Sequence, residues 1–137
     1  MRLWHYKLIP YLPKSQLLAQ WRELNSMFKK QDNHILINYA YNDNTSLFNY
    51  SLCVIREMTK RGYENNTQNM EDYFWEHFYD YKDNKKMFVQ HDNEYLTICY
   101  WNLREKYLRG QKDFTDNIWE RLDSFYKKEI EKWNLKN

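Results

Sequence analysis

The chain predicts an all-α fold, a compact irregular bundle of about four helices joined by long loops. Three observations carry this. Apolar residues recur at three- and four-residue spacing in several long stretches. The two glycines, Gly62 and Gly110, each follow such a stretch. No run of alternating residues is long enough to require a sheet, and Lys85–Gln90, the nearest approach, reads as coil.

The first helix is read from residues 13–30, PKSQLLAQWRELNSMFKK. Wound at about 100° per residue, Leu17, Trp21, Leu24 and Phe28 share one stripe. The opposite side carries Ala19, Arg22, Glu23, Ser26 and the Lys29-Lys30 pair. Such a side is ordinarily a solvated face. Here small residues at 19 and 26 leave a notch beside one carboxylate. A second helix follows Thr45-Ser46, with Leu47, Tyr50, Val54 and Met58 on its stripe, and closes at Lys60-Arg61 before Gly62. A third follows Asp92-Asn93, with Leu96, Cys99, Tyr100, Leu103 and Tyr107, and closes before Gly110. Polar caps, cations in the last turn and a glycine just beyond are the expected boundary signals. The fourth helix starts near Thr115-Asp116 and aligns Trp119, Leu122, Tyr126, Ile130 and Trp133. Residues 64–86 are acidic and aromatic together, a short helix between loops that covers the core and repels phosphate.

The 137 residues suffice for one α-helical domain, 1–137, with a real core. A net charge of +2 does not by itself argue for nucleic acid, so phosphate contact has to come from Lys29-Lys30, Lys60-Arg61, Lys85-Lys86 or Lys127-Lys128. Cys53 and Cys99 form no C-x-x-C pair and read as small buried hydrophobes in a reducing interior. His5, His34, His77 and His91 lack metal-ligand spacing, so no metal and no cofactor are expected. The opening MRLWHYKLIPYLP has no apolar core of a leader, and no stretch nears the roughly 20 apolar residues that span a bilayer. The chain reads as cytoplasmic, without a membrane partner and with its oligomeric state open.

Read as a unit, MRLWHYKLIPYLPKSQLLAQWREL (1–24) resembles the pyrimidine dimer DNA glycosylase family, whose bacterial members open with similar R-L-W-H, L-I-P-x-L-P and Q-L-L blocks before an R-E pair. LFNYSLCVIREMTKRGY (47–63) is similar to the family's second helix, and HDNEYLTICYWNL (91–103) to the start of its last shared helix. The resemblance implies a compact α fold that binds damaged duplex DNA and flips a nucleotide out. It implies that the N-terminal α-amine attacks the sugar C1′, giving an imine that permits strand cleavage by β-elimination. A first-helix glutamate assists. Carried onto this chain, the nucleophile is the amine of Met1, the glutamate is Glu23 and its neighbour is Arg22, which grips a phosphate. Arg2, Lys29 and Lys30 are further candidates for DNA contact, and Trp4 for lining the pocket. Where the family's basic side chains continue along this face, the chain has Gln16 and Ser26.

The chemistry needs an amine that is neutral near pH 7. A free α-amine titrates about 2.5 units below lysine, so its neutral fraction is several hundred-fold larger. Met1 is therefore preferred, with Lys7 in reserve. Arg2 is too bulky for removal of the preceding methionine, so Met1 is expected to stay. Aromatic wedges or stacking offset the unstacking of a flipped nucleotide. Tyr6, Tyr11, Tyr126 and Trp133 are available besides Trp4, although Tyr126 and Trp133 read equally as core. His34 and His91 read as structural. Two other readings remain open: a nucleic-acid-binding relative that lost the chemistry, and a protein-interaction module using residues 64–86.

Overall fold

The computed structural model describes residues 2–136, with side chains to residue 135. A 3-10 turn over Tyr6–Tyr11 precedes α1 (Lys14–Lys29), and a second one over Asn38–Asn42 precedes α2 (Asn44–Lys60). Then come α3 (Gln68–Glu76), α4 (Asn93–Leu108) and α5 (Asp116–Lys136), with no strand among the described residues. The all-α expectation holds. The count of about four rises to five α-helices, because the acidic-aromatic stretch forms α3 and seats Met70, Tyr73 and Phe74 on the core. Residues 85–90 are coil and turn.

Helix α1 packs on α2 and α3, α4 packs on α5, and the first 3-10 turn bridges α2 and α5. The stripe Leu17, Trp21, Leu24 and Phe28 is buried, joined by Met27 and, unexpectedly, by Gln20. The start of α1 has no side-chain cap of its own; instead the Ser15 N–H donates to the Asp113 carboxylate at 2.7 Å. A tertiary partner thus satisfies an otherwise orphaned helix-end donor. The cap of α2 is Asp43, not Thr45-Ser46: its carboxylate accepts from the Ser46 N–H at 3.1 Å and the Ser46 hydroxyl at 2.6 Å. Asp92 caps α4 by accepting from the Tyr95 N–H.

Both glycines act through the backbone. Gly62 and Gly110 have φ of +81° and +84°, and nothing lies within 4 Å of where a Cβ would stand. After α2 the Tyr63 N–H returns to the Met58 carbonyl and the Gly62 N–H to Thr59, the paired bonds of a left-handed helix stop. The bonds from Gln111 to Lys106 and from Gly110 to Tyr107 repeat this after α4.

His91 sits in a ring of aromatics, with the centroids of His5, Tyr39, Tyr50, Phe88 and Tyr95 between 5.0 and 5.9 Å away. Its Nδ1 accepts from the Tyr6 N–H at 3.3 Å, so the neutral ring carries its proton on Nε2 and donates to the Tyr39 hydroxyl at 2.7 Å. Burial pushes His91 down to about 3 and His5 to about 4, from the ordinary 6.5. Both groups resist protonation in the fold but not in the unfolded chain. The contribution of these two rings to stability is therefore complete above pH 6.5 and falls as the pH drops from there toward 4. Thermal melts of Glu23→Gln from pH 7 to pH 4, in which the opposite titration of Glu23 is removed, check this, and a flat profile contradicts the burial of both rings as neutral groups. Cys99 is buried as expected, whereas Cys53 is half-buried on α2.

Candidate active site: a cavity between the chain start and the first helix

Three side-chain tethers hold the opening segment against α1, α2 and α4. The Tyr95 hydroxyl donates to the Leu3 carbonyl. The Trp4 N–H donates to Gln20 Oε1 at 2.8 Å, and the Tyr50 hydroxyl donates to the Trp4 carbonyl at 2.6 Å. Gln20 and Tyr50 are 2% and 0% exposed. Because the Trp4 N–H can only donate, the Gln20 carbonyl oxygen must face it and the amide nitrogen must point elsewhere. That nitrogen is buried with no hydrogen-bond partner among the described residues.

One turn further along α1, Glu23 Oε1 is likewise buried and unpartnered among the described residues. Burial pushes the Glu23 carboxyl up to about 7 from the ordinary 4.5, and the nearby Asp32 charge adds to the rise. Both residues line one cavity of about 350 Å³. Arg2 and Trp4 close it from the opening segment, Gln16 and Ala19 from α1, and Asn102 and Lys106 from α4. Ala19 supplies the notch expected beside Glu23. The cavity therefore combines a carboxyl that titrates near neutrality, an unpaired amide donor and two cations. Such a set can exchange a proton with a bound group and stabilise developing charge.

The structure brings together Glu23, Arg2 and Trp4. Trp4 is only 8% exposed, so its ring is cavity wall rather than a protruding wedge. Arg22, next to Glu23 in the chain, is exposed on α1 and does not line the cavity. Met1, expected as the nucleophile, lies outside the described residues. Lys29 and Lys30 are exposed at the end of α1, about 10 Å along its axis from Glu23. They line another cavity, shared with Tyr41, Tyr73, Glu76 and His77. Among the basic clusters, Arg61 is engaged by Glu57 and by the Leu12 and Pro10 carbonyls, Lys86 by Asp43 and Lys127 by Asp123. Lys29 and Lys30 have no ion pair among the described residues.

The reserve role given to Lys7 does not fit. Its ammonium is 3.1 Å from Glu129 and lines a separate cavity of about 760 Å³ against α5. Tyr6, Tyr11 and Trp133 line that same cavity, and Tyr126 is buried in a 3.8 Å stack on Tyr100. None of these rings faces Glu23. Gln16 reaches the cavity but exchanges amide hydrogen bonds with Gln111 at 3.0 and 2.7 Å. Ser26 is exposed, and His34 stands in an exposed turn, its Nδ1 accepting from the Leu36 N–H.

Sequence reasoning missed Gln20, Asn102 and Lys106. The visible signal for Gln20 is a glutamine inside the buried stripe, one turn before the R-E pair. Asn102 and Lys106 are four residues apart on α4 and share one side of it. Nothing local marks that side as facing Glu23.

Residues 1–71 match the model of a family described as pyrimidine dimer DNA glycosylase. The match takes in just over half of the chain, including Arg2, Trp4, Gln20, Arg22 and Glu23, while Asn102 and Lys106 lie beyond it. No curated protein and no solved structure matches the chain. Among the described residues no helix is long and apolar enough to cross a membrane.

Proposed function

The chain belongs to the pyrimidine dimer DNA glycosylase family, and on that premise we propose that it is a DNA repair glycosylase and abasic-site lyase. Its substrate is damaged duplex DNA carrying pyrimidine dimers or related base lesions. The observation that carries this reading is Glu23: a half-buried carboxyl, one oxygen fully enclosed, pushed up to about 7, in a cavity that the opening segment helps to form.

In the proposed reaction the α-amine of Met1 attacks the sugar C1′ and the bond to the damaged base breaks. Opening of the sugar ring leaves an imine between the amine nitrogen and C1′. Loss of a C2′ proton then expels the 3′ phosphate by β-elimination. A carboxyl titrating near pH 7 serves both halves of this sequence, giving a proton to the ring oxygen and taking one later. Its ionised form also stabilises the cationic imine. Arg22 and Arg2 hold phosphates next to the flipped nucleotide, and Lys29 and Lys30 extend that contact along the duplex. Lys106 adds positive charge from α4, Trp4 forms the wall of the pocket, and the whole chain acts as one α-helical domain.

Borohydride trapping on an abasic duplex tests the proposal. A covalent adduct through the N-terminus is expected; a correctly folded protein that binds the duplex yet yields no adduct is instead the binding-only relative.

Gln20 enters as a positioning residue, since its carbonyl oxygen holds the Trp4 N–H. Gln20→Leu strands that buried donor, at about 1–3 kcal/mol in stability. It also frees the opening segment, where a misplacement near 1 Å costs roughly a hundredfold in rate. Ser51→Ala, which removes only the buried hydroxyl bond to the Leu47 carbonyl on α2 and lies outside the cavity, leaves the trapping rate within a few-fold of the parent. Chemical denaturation and single-turnover trapping of the two variants separate these outcomes.

A further inference from the structure

Residues 63–81 take no part in the cavity around Glu23. They contain no lysine or arginine, and they carry the acids Glu64, Glu71, Asp72, Glu76 and Asp80. Three of the most exposed large side chains of the protein stand here: Trp75 at 90%, Phe78 at 88% and Tyr81 at 72%. Single exposed apolar residues are ordinary, but three within seven positions form a patch that water disfavours.

Trp75 of this patch lines an apolar groove of about 540 Å³ between α2 and α3, and Phe78 follows three residues on. One wall is the row Phe48, Leu52 and Ile55 of α2; the other is the row Met70, Phe74 and Trp75 of α3. Tyr79 closes one end, stacked on Phe48 with centroids 4.3 Å apart. The α2 row spans about two turns, roughly 10 Å, and the α3 row somewhat less, roughly 7.5 Å, a footprint for a third helix laid between two others. Glu71 lines the groove, and Glu71 and Asp72 stand one turn before Trp75 on α3. Glu64 and Asp80 flank this stretch, both exposed. None of these four acids is in an ion pair among the described residues. Glu76 faces the other way, toward Lys29 and Lys30.

We propose that this groove is a docking site for a basic amphipathic helix of a partner protein. Apolar side chains of that helix fill the space between the two rows, and its lysines or arginines neutralise Glu71 and Asp72 and lie over the Trp75 ring. The uncompensated acids choose the partner's sign: they repel a nucleic-acid backbone and an acidic helix alike. The site is separate from the cavity of Glu23 and does not depend on the DNA reading.

The test titrates the full chain with a synthetic amphipathic helix of leucines and lysines about five turns long. A counterpart with every lysine replaced by glutamate serves as control. The lysine peptide is expected to bind at least about tenfold tighter than the glutamate one, with affinity falling as salt rises. The double variant Trp75→Ala, Phe78→Ser weakens it by about tenfold or more, since exposed aromatic anchors dominate such contacts. Unchanged melting of that variant shows that the fold is intact, as expected for side chains this exposed. Glu71→Gln with Asp72→Asn reduces the salt dependence. Equal binding of the two peptides overturns the proposal, as does binding that survives loss of Trp75 and Phe78. Sedimentation of the free chain as a dimer that the double variant dissolves overturns it too, because the occupant is then a second copy.

Discussion

Glu23→Gln is expected to lower the rate of imine formation by about a hundred- to ten-thousand-fold, the range for losing a positioned acid–base group. The amide keeps the shape of the side chain and can neither give nor take the proton, so DNA affinity is largely retained while trapping collapses. Single-turnover trapping on an abasic duplex reads the loss. The same variant carries a second signature with the opposite sign. The fold raises the Glu23 carboxyl to about 7, so between its ordinary pKa of 4.5 and 7 the native state holds a proton that the unfolded chain has released. Stability contributed at this site therefore falls as pH rises through that window, and above pH 7 the protein carries a half-buried charge. The glutamine variant escapes that cost. It melts higher than the parent at pH 8, and the gap shrinks toward pH 4.5. A variant that loses activity without gaining stability at pH 8 points to a solvated carboxylate.

Acetylating the α-amine of Met1 is expected to abolish trapping altogether, because an amide nitrogen has no lone pair available to form an imine. Lys7→Met, by contrast, leaves the trapping rate within a few-fold. Lys7 is ion-paired with Glu129 at 3.1 Å and lines a cavity apart from the one around Glu23. A free α-amine also has a neutral fraction several hundred-fold above that of an ordinary lysine, from the ~2.5 units between them. Mass spectrometry of the borohydride-reduced adduct locates the bond directly. An adduct on Lys7, or one that survives acetylation, reverses the assignment of the nucleophile.

The legible part of the site was its helix. Leu17, Trp21, Leu24 and Phe28 could be assigned to the buried side of α1 because contacts three and four residues apart are set by helix geometry alone. Glu23 and Ala19 followed from that same winding. Gln20 was overlooked for the converse reason: its importance rests on a bond to Trp4, sixteen residues away. Lys7, the amine held in reserve, is carried to α5 by the 3-10 turn over Tyr6–Tyr11, a displacement that no local spacing records. Asp43, rather than Thr45-Ser46, caps α2, and either choice satisfies the local preference for a polar cap.

Sequence by itself determined the helical class, the ends of the long helices at Gly62 and Gly110 and the charge pattern of each face. These depend on backbone preference and on side chains that are near neighbours along the chain. Only tertiary structure decided that the opening segment lies against Gln20, that α4 lends Asn102 and Lys106, and that Glu23 titrates near neutrality. Burial and long-range hydrogen bonds arise from the meeting of distant segments. Their energies depend on which water is excluded, and no local spacing of residues records that.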